Sequence, residues 1–245
     1  MEVEIREEIR NYIDNEVVPL YDSFDVAHRR DHVLTVMSQA MELYSSAPEE
    51  IRSGIDPEML LVAAACHDIG LAYGREHHHT DSARIIRSDS RLREWFSEAQ
   101  IETIAMAAED HRASGKSEPR SIYGKIVAEA DRVIDPETII RRTVQFGLTH
   151  CPELGPEEQI SRVEAHLAEK YGYGGYLRLW IPWSGNAVRL DSLRRLIADP
   201  RRLRSEVRRI FFYCRMIPPV GVKCSRNKEI MWSYCKTSPA SGKNF

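Results

Sequence analysis

The chain has no long apolar run, no surplus of charge of either sign, no paired cysteine spacing and few aromatics. Each absence removes a class of protein. No stretch approaches the roughly 20 apolar residues that a membrane span needs. With 34 basic and 37 acidic residues the formal charge is only -3, so nothing global draws the chain to nucleic acid or a membrane surface. Any attraction for phosphate must be local. The five cysteines, Cys66, Cys151, Cys214, Cys224 and Cys235, are odd in number and far apart, which argues against a disulfide framework or a zinc ribbon. They read as reduced thiols. The N-terminus, Met1-Glu2-Val3-Glu4-Ile5-Arg6, does not resemble a secretory signal, and a soluble cytoplasmic protein is expected.

What is present is helical periodicity. The 245 residues, 42% hydrophobic, suffice for one domain with a sizeable core. Ile5, Ile9, Tyr12, Ile13 and Val17 recur at helical spacing up to Pro19. Val33, Val36, Met37, Ala40, Met41 and Tyr44 do so before Pro48. Asp56-Pro57-Glu58 supplies an N-cap, a proline at the first helical position and an acid in the first turn, with Gly70 as the expected stop. The same cap recurs at Asp135-Pro136-Glu137 and Asp199-Pro200, and Gly155-Pro156-Glu157-Glu158 opens a helix that should end before Gly172. The run Tyr176 to Ile181 is the one candidate for extended chain, short and isolated. Gly172 to Tyr176 is either a mobile loop or a plain connector. Arg194, Arg195, Arg201, Arg202, Arg204, Arg208 and Arg209 form a basic patch, read first as a solvated helix face.

Within this pattern Met59 to Cys66 is apolar or small at every position and runs straight into His67-Asp68-Ile69-Gly70. A helix apolar on all sides is buried. An imidazole and a carboxylate buried together are costly unless hydrogen-bonded, paired or coordinated. A metal ion resolves that cost.

His32, His67-Asp68 and Asp131, in the contexts Asp31-His32-Val33, Cys66-His67-Asp68-Ile69-Gly70 and Glu129-Ala130-Asp131-Arg132, resemble the H…HD…D pattern of the HD-domain superfamily of metal-dependent phosphohydrolases. The likeness covers roughly residues 20 to 135. It implies an all-α fold, an HD-domain helical bundle with additional C-terminal helices. The HD-type helical domain is expected over residues 1–215, with the metal-site core at about 20–135 and an extension at about 136–215, whose Arg141 to Pro182 segment resembles the C-terminal half of such proteins, where helices pack back over the core, and is expected to form one wall of the pocket; 216–245 reads as an irregular or disordered tail. Two further segments, His77-His78-His79-Thr80-Asp81-Ser82 and Glu109-Asp110-His111-Arg112, are similar to those of two-metal members. The resemblance implies His32, His67, Asp68 and Asp131 as ligands of one ion, with His78 and His111 joining a bridging Asp68 for a second. His79 stays open as a replacement for His78.

A set of imidazoles and carboxylates without cysteine suits iron or manganese first, with zinc, cobalt, nickel and magnesium open. One or two divalent ions would make the pocket locally electropositive and activate water for attack on phosphorus. The implied activity is hydrolysis of a phosphate ester or anhydride, with Asp68 and His67 central to catalysis. The substrate is expected to be small and phosphorylated, with a nucleotide as one candidate. No membrane or nucleic acid duplex is expected as partner, and a homo-oligomer stays open. His28, one turn before His32 along the same helical face, and Arg75, Arg112 and Lys125 are candidate substrate contacts. Leu71 stands where cyclic dinucleotide phosphodiesterases of the superfamily have a lysine, and where its single-metal deoxynucleotide phosphatases have a glutamate, so both subgroups fit poorly. The likeness is closer to small stand-alone bacterial HD proteins of unassigned substrate, which share the Gly124 to Arg132 helix. Two alternatives are an HD-type diiron oxygenase and a non-catalytic nucleotide sensor.

Overall fold

The computed structural model describes residues 3–25, 28–112, 117–132 and 134–216. The expected tail therefore lies outside the described residues, apart from Met216, which ends the last helix. The α-helices are α1 (Glu7–Tyr12), α2 (Arg30–Ser45), α3 (Glu49–Arg52), α4 (Pro57–Cys66), α5 (His78–Ser88), α6 (Glu98–Glu109), α7 (Ile122–Ala130), α8 (Pro136–His150), α9 (Pro156–Tyr171), α10 (Asn186–Ile197) and α11 (Pro200–Met216). No strand occurs among the described residues. No helix of the described residues is long and apolar enough to cross a membrane.

The caps act as their chemistry requires. Asp56 accepts the backbone N–H groups of Glu58 and Met59 at 2.9 and 3.3 Å, satisfying donors that have no partner within α4. Asp135 does the same for Thr138 at 2.8 Å, and Asp199 for Arg202 at 3.1 Å. Two boundaries differ from the sequence reading. Pro19 does not end the first helical run, because the chain tightens into a 3₁₀ turn over Val18–Ser23 in which a proline near the start sacrifices no hydrogen bond. Gly70 does not stop α4, which ends at Cys66, three residues before a 3₁₀ turn at Ile69–Tyr73.

Two apolar cores divide the chain. The first joins α1, α2, α4, α5, α6 and α7 around Leu60, Val62, Ile104, Ile126 and Val127. The second joins α8 to α11 around Val144, Ile160, Leu167, Leu193 and Val207. The stretch from Tyr176 to Ile181 is extended without a ladder. Its backbone N–H groups at Tyr176 and Leu177 return to Glu169 and Lys170 at the end of α9. Gly172 to Gly175 makes a closed turn there, with the Gly175 N–H donating to Gly172 at 2.9 Å, which supports the connector reading. The arginines of α11 lie on a paired surface: Arg204 meets Glu157 and Glu164, and Arg208 and Arg209 meet Glu157, Glu206 and Glu137.

Candidate metal centre

The polar side chains of the first core converge from the ends of its helices. His32 comes from the first turn of α2, His67 and Asp68 from the turn that ends α4, His78 from the start of α5, His111 from just beyond α6, and Asp131 from the C-terminus of α7. α4 is buried on every side because neighbours cover it all round, so the residues that leave its end must be buried too. His67 and His111 are almost wholly enclosed, and the Asp68 side chain is 4% exposed.

The two oxygens of Asp68 face different groups. Oδ2 lies 3.2 Å from His67 Nε2 and 3.7 Å from His32 Nε2. Asp131 Oδ1 approaches the same two imidazoles, at 3.2 Å from His32 and 3.9 Å from His67. Asp68 Oδ1 lies 3.4 Å from both His78 Nε2 and His111 Nε2, which are 3.3 Å from each other. Two ligand clusters result, His32/His67/Asp68 and Asp68/His78/His111, sharing one carboxylate.

Hydrogen bonding fixes which nitrogen each ring presents. His67 Nδ1–H donates to the Ala64 carbonyl at 2.8 Å, His78 Nδ1–H to Arg75 at 2.8 Å and His111 Nδ1–H to Ala108 at 2.5 Å. A neutral imidazole donating from Nδ1 has only a lone pair at Nε2. Each of these lone pairs then points at carboxylate oxygens or another lone pair, an arrangement stable only with positive charge between them. The Nε2 atoms of His32 and His67 are buried and have no hydrogen-bond partner. Each of the two clusters could therefore hold a metal ion.

The electrostatics agree. Burial disfavours charge on His67, yet the neighbouring Asp68 and Asp131 outweigh it and raise the imidazole to about 9. A proton there takes the place of the positive charge the cluster demands. Asp68 is buried, which would push its carboxyl up, but His67 and His111 hold it well below the usual carboxylate range. Asp131 is likewise lowered, as the adjacent imidazoles of His32 and His67 overcome burial. His78 moves the other way, down to about 4, through burial and the adjacent His111.

The other expected site residues are distributed around this centre. The His28 ring sits edge-on to that of His32, with centroids 5.7 Å apart, and its Nδ1 meets Asp25 at 2.8 Å. Arg75 donates to the other oxygen of Asp25 at 3.1 Å. Arg112 donates to the Glu76 carbonyl at 2.9 Å, tying the residue after His111 to the loop that carries His78. Lys125 pairs with Glu118 at 2.5 Å rather than with any ligand. His79, one residue along α5 from His78, belongs to neither cluster.

Sequence reasoning missed the supports. The buried Tyr21 hydroxyl donates to the Ala65 carbonyl at 2.7 Å and accepts the Asp68 N–H at 3.2 Å, bracing the turn that carries the central pair. Its distance from that pair in sequence gave no signal. Ser82 Oγ accepts the Gly70 N–H at 2.9 Å and seats α5 against the same turn. Glu129 is wholly buried beside Asp131.

Residues 29–134 match the family described as HD domain. No curated protein and no solved structure matches the chain.

Proposed function

We propose that this chain, whose residues 29–134 are an HD domain and so belong to that superfamily, is a two-metal phosphohydrolase acting on a small phosphate ester or anhydride. The family is one of metal-dependent phosphohydrolases, and the His/Asp clusters can hold metal. The observation that carries the finer reading is Asp68, whose two oxygens face two separate imidazole pairs. His32, His67, Asp131 and Asp68 Oδ2 would hold one cation, and His78, His111 and Asp68 Oδ1 the other. Nitrogen and oxygen donors without thiolate favour iron or manganese.

Divalent cations bound there supply Lewis acidity toward a phosphoryl oxygen and bring the pKa of water near neutrality. The protein's own part is to aim and enclose. The Nδ1 bonds of His67, His78 and His111 fix each ring with Nε2 toward Asp68. Enclosure of His67, His111 and Asp68 keeps bulk water from screening the charges. His28, Arg75 and Arg112 are the candidate phosphate contacts, supported by the His28 ring standing edge-on to His32 and by Arg75 and Arg112 lying on the segments that carry His78 and His111.

Metal analysis of freshly purified protein, followed by phosphate release from a panel of esters and nucleotides, tests this. Two ions per chain and turnover are expected, and Asp68→Ala should lose both. Full activity in that variant overturns the proposal. Oxygen consumption by the iron-loaded protein with no phosphate released would make it an oxygenase instead. Tight nucleotide binding without product under any divalent metal would make it a sensor.

A further inference from the structure

The extended stretch between α9 and α10 crosses from one core to the other. Leu177 is buried in the second core and Ile181 in the first, and Trp183 donates from Nε1 to the Leu43 carbonyl of α2 at 2.9 Å. The stretch and the first residue of α10 also make polar contacts at the end of α7. The Trp180 N–H donates to Glu129 Oε2 at 3.0 Å. Asn186 Nδ2 donates to the carbonyl oxygens of both Glu129 and Arg132, at 3.2 and 3.3 Å. Asn186 is itself held, since its N–H donates to Ser184 Oγ at 3.0 Å and its Oδ1 accepts from Arg189 at 3.3 Å.

These contacts bracket one ligand. The Glu129 carbonyl already accepts the Arg132 N–H at 3.1 Å, and Asn186 adds a second donor there and reaches the Arg132 carbonyl as well, so its amide is bonded on either side of Asp131. The carboxylate of Glu129 faces Arg132 at 3.6 Å, so the residues flanking Asp131 are also joined through their side chains. The second cluster has no such dependence. His78 and His111 are oriented by Arg75 and Ala108, and α5 is seated by Ser82 on Gly70, all within the HD domain.

We propose that Asn186 and Glu129 are positioning residues for Asp131, through which the C-terminal helical region completes the first cation site but not the second. The inference rests on the two-cation reading above. It makes the segment following the HD domain part of the metal centre's construction, although no ligand comes from it.

The test is manganese titration of the full chain after chelator stripping, with affinities read by competition against a fluorescent chelator. His111→Ala isolates the first site and His32→Ala the second. In the His111→Ala background, Asn186→Ala should weaken manganese binding about 10–100-fold, the range typical of lost outer-shell support. Asn186→Asp, equal in size but unable to donate to two carbonyls, should weaken it at least as much. In the His32→Ala background neither change should matter. Trp183→Phe, which cuts the bond to Leu43, should lower Tm yet leave both affinities intact. The inference is overturned if Asn186→Ala spares the first site, weakens both sites alike, or is matched by Trp183→Phe. A wild-type chain that binds no manganese would instead overturn the two-cation reading itself.

Discussion

Replacing Gly70 by alanine should eliminate the second cation while leaving the first. A Cβ built on Gly70 would lie 2.0 Å from the His78 carbonyl oxygen, 2.5 Å from the Ser82 nitrogen and 2.9 Å from Asp81 Cβ. The first two are backbone atoms at the start of α5 and cannot rotate aside. α5 must retreat by roughly 1.4 Å to reach even ordinary van der Waals contact at 3.4 Å. That movement breaks the Gly70 N–H bond to Ser82, worth about 1 kcal/mol, and adds overpacking strain of about 1–3 kcal/mol. It also draws His78 Nε2 away from Asp68 and His111, where it now stands at 3.4 and 3.3 Å. The expected result is a fall in Tm of roughly 5–15 °C and a manganese stoichiometry reduced from two to one. Gly74→Ala is the control: its φ of 120° makes alanine strained, but no atom lies within 4 Å of the added Cβ. It should cost about 1–2 kcal/mol of backbone strain and no metal. Two tightly bound ions in Gly70→Ala would refute the argument that this glycine exists to admit α5.

Tyr21→Phe leaves the Ala65 carbonyl and the Asp68 N–H without their buried partner, so chemical denaturation should show a loss of about 1–3 kcal/mol; an unchanged midpoint would mean that the hydroxyl braces nothing. In the stripped protein His67 is raised to about 9, so a cation must displace its proton, and affinity at the first site should climb about tenfold per unit between pH 7 and 9, then level off. Affinity that stays flat over that range contradicts the assignment of His67. The same raised value means that the stability His67 contributes to the stripped protein is complete below about pH 6.5 and is lost as pH rises through about 9. Thermal melts of stripped His67→Gln and wild type should therefore converge at high pH, and a gap that widens there would contradict the sign.

The residues of the two clusters were legible in the sequence because each stands out chemically: an all-apolar helix that ends in His67-Asp68 buries a costly pair, and the structure brings His32 and Asp131 beside it. The caps at Asp56, Asp135 and Asp199 were equally plain, since capping is decided within a few residues. His78 and His79 could not be separated until the start of α5 was known. Adjacent helical residues point about 100° apart, so only one can face Asp68. Gly70 was misread as a helix stop because its real constraint is the close approach of a helix that begins eight residues later in the chain. Tyr21 and Asn186 were invisible for the same kind of reason: each acts on a backbone 44 to 57 residues away.

The clustered side chains come from α2, α4, α5, α6 and α7, which would give a metal held there a second consequence, apart from chemistry. Ions gripping the ends of five helices would bind the folded chain far better than the unfolded one, and so would act as a concentration-dependent staple. At free ion a hundredfold above its dissociation constant, each would add about 2.7 kcal/mol to the unfolding free energy. Cellular starvation for the ion would then do more than silence the protein: it would expose the chain to proteolysis, and the amount of protein present would track the supply of its metal.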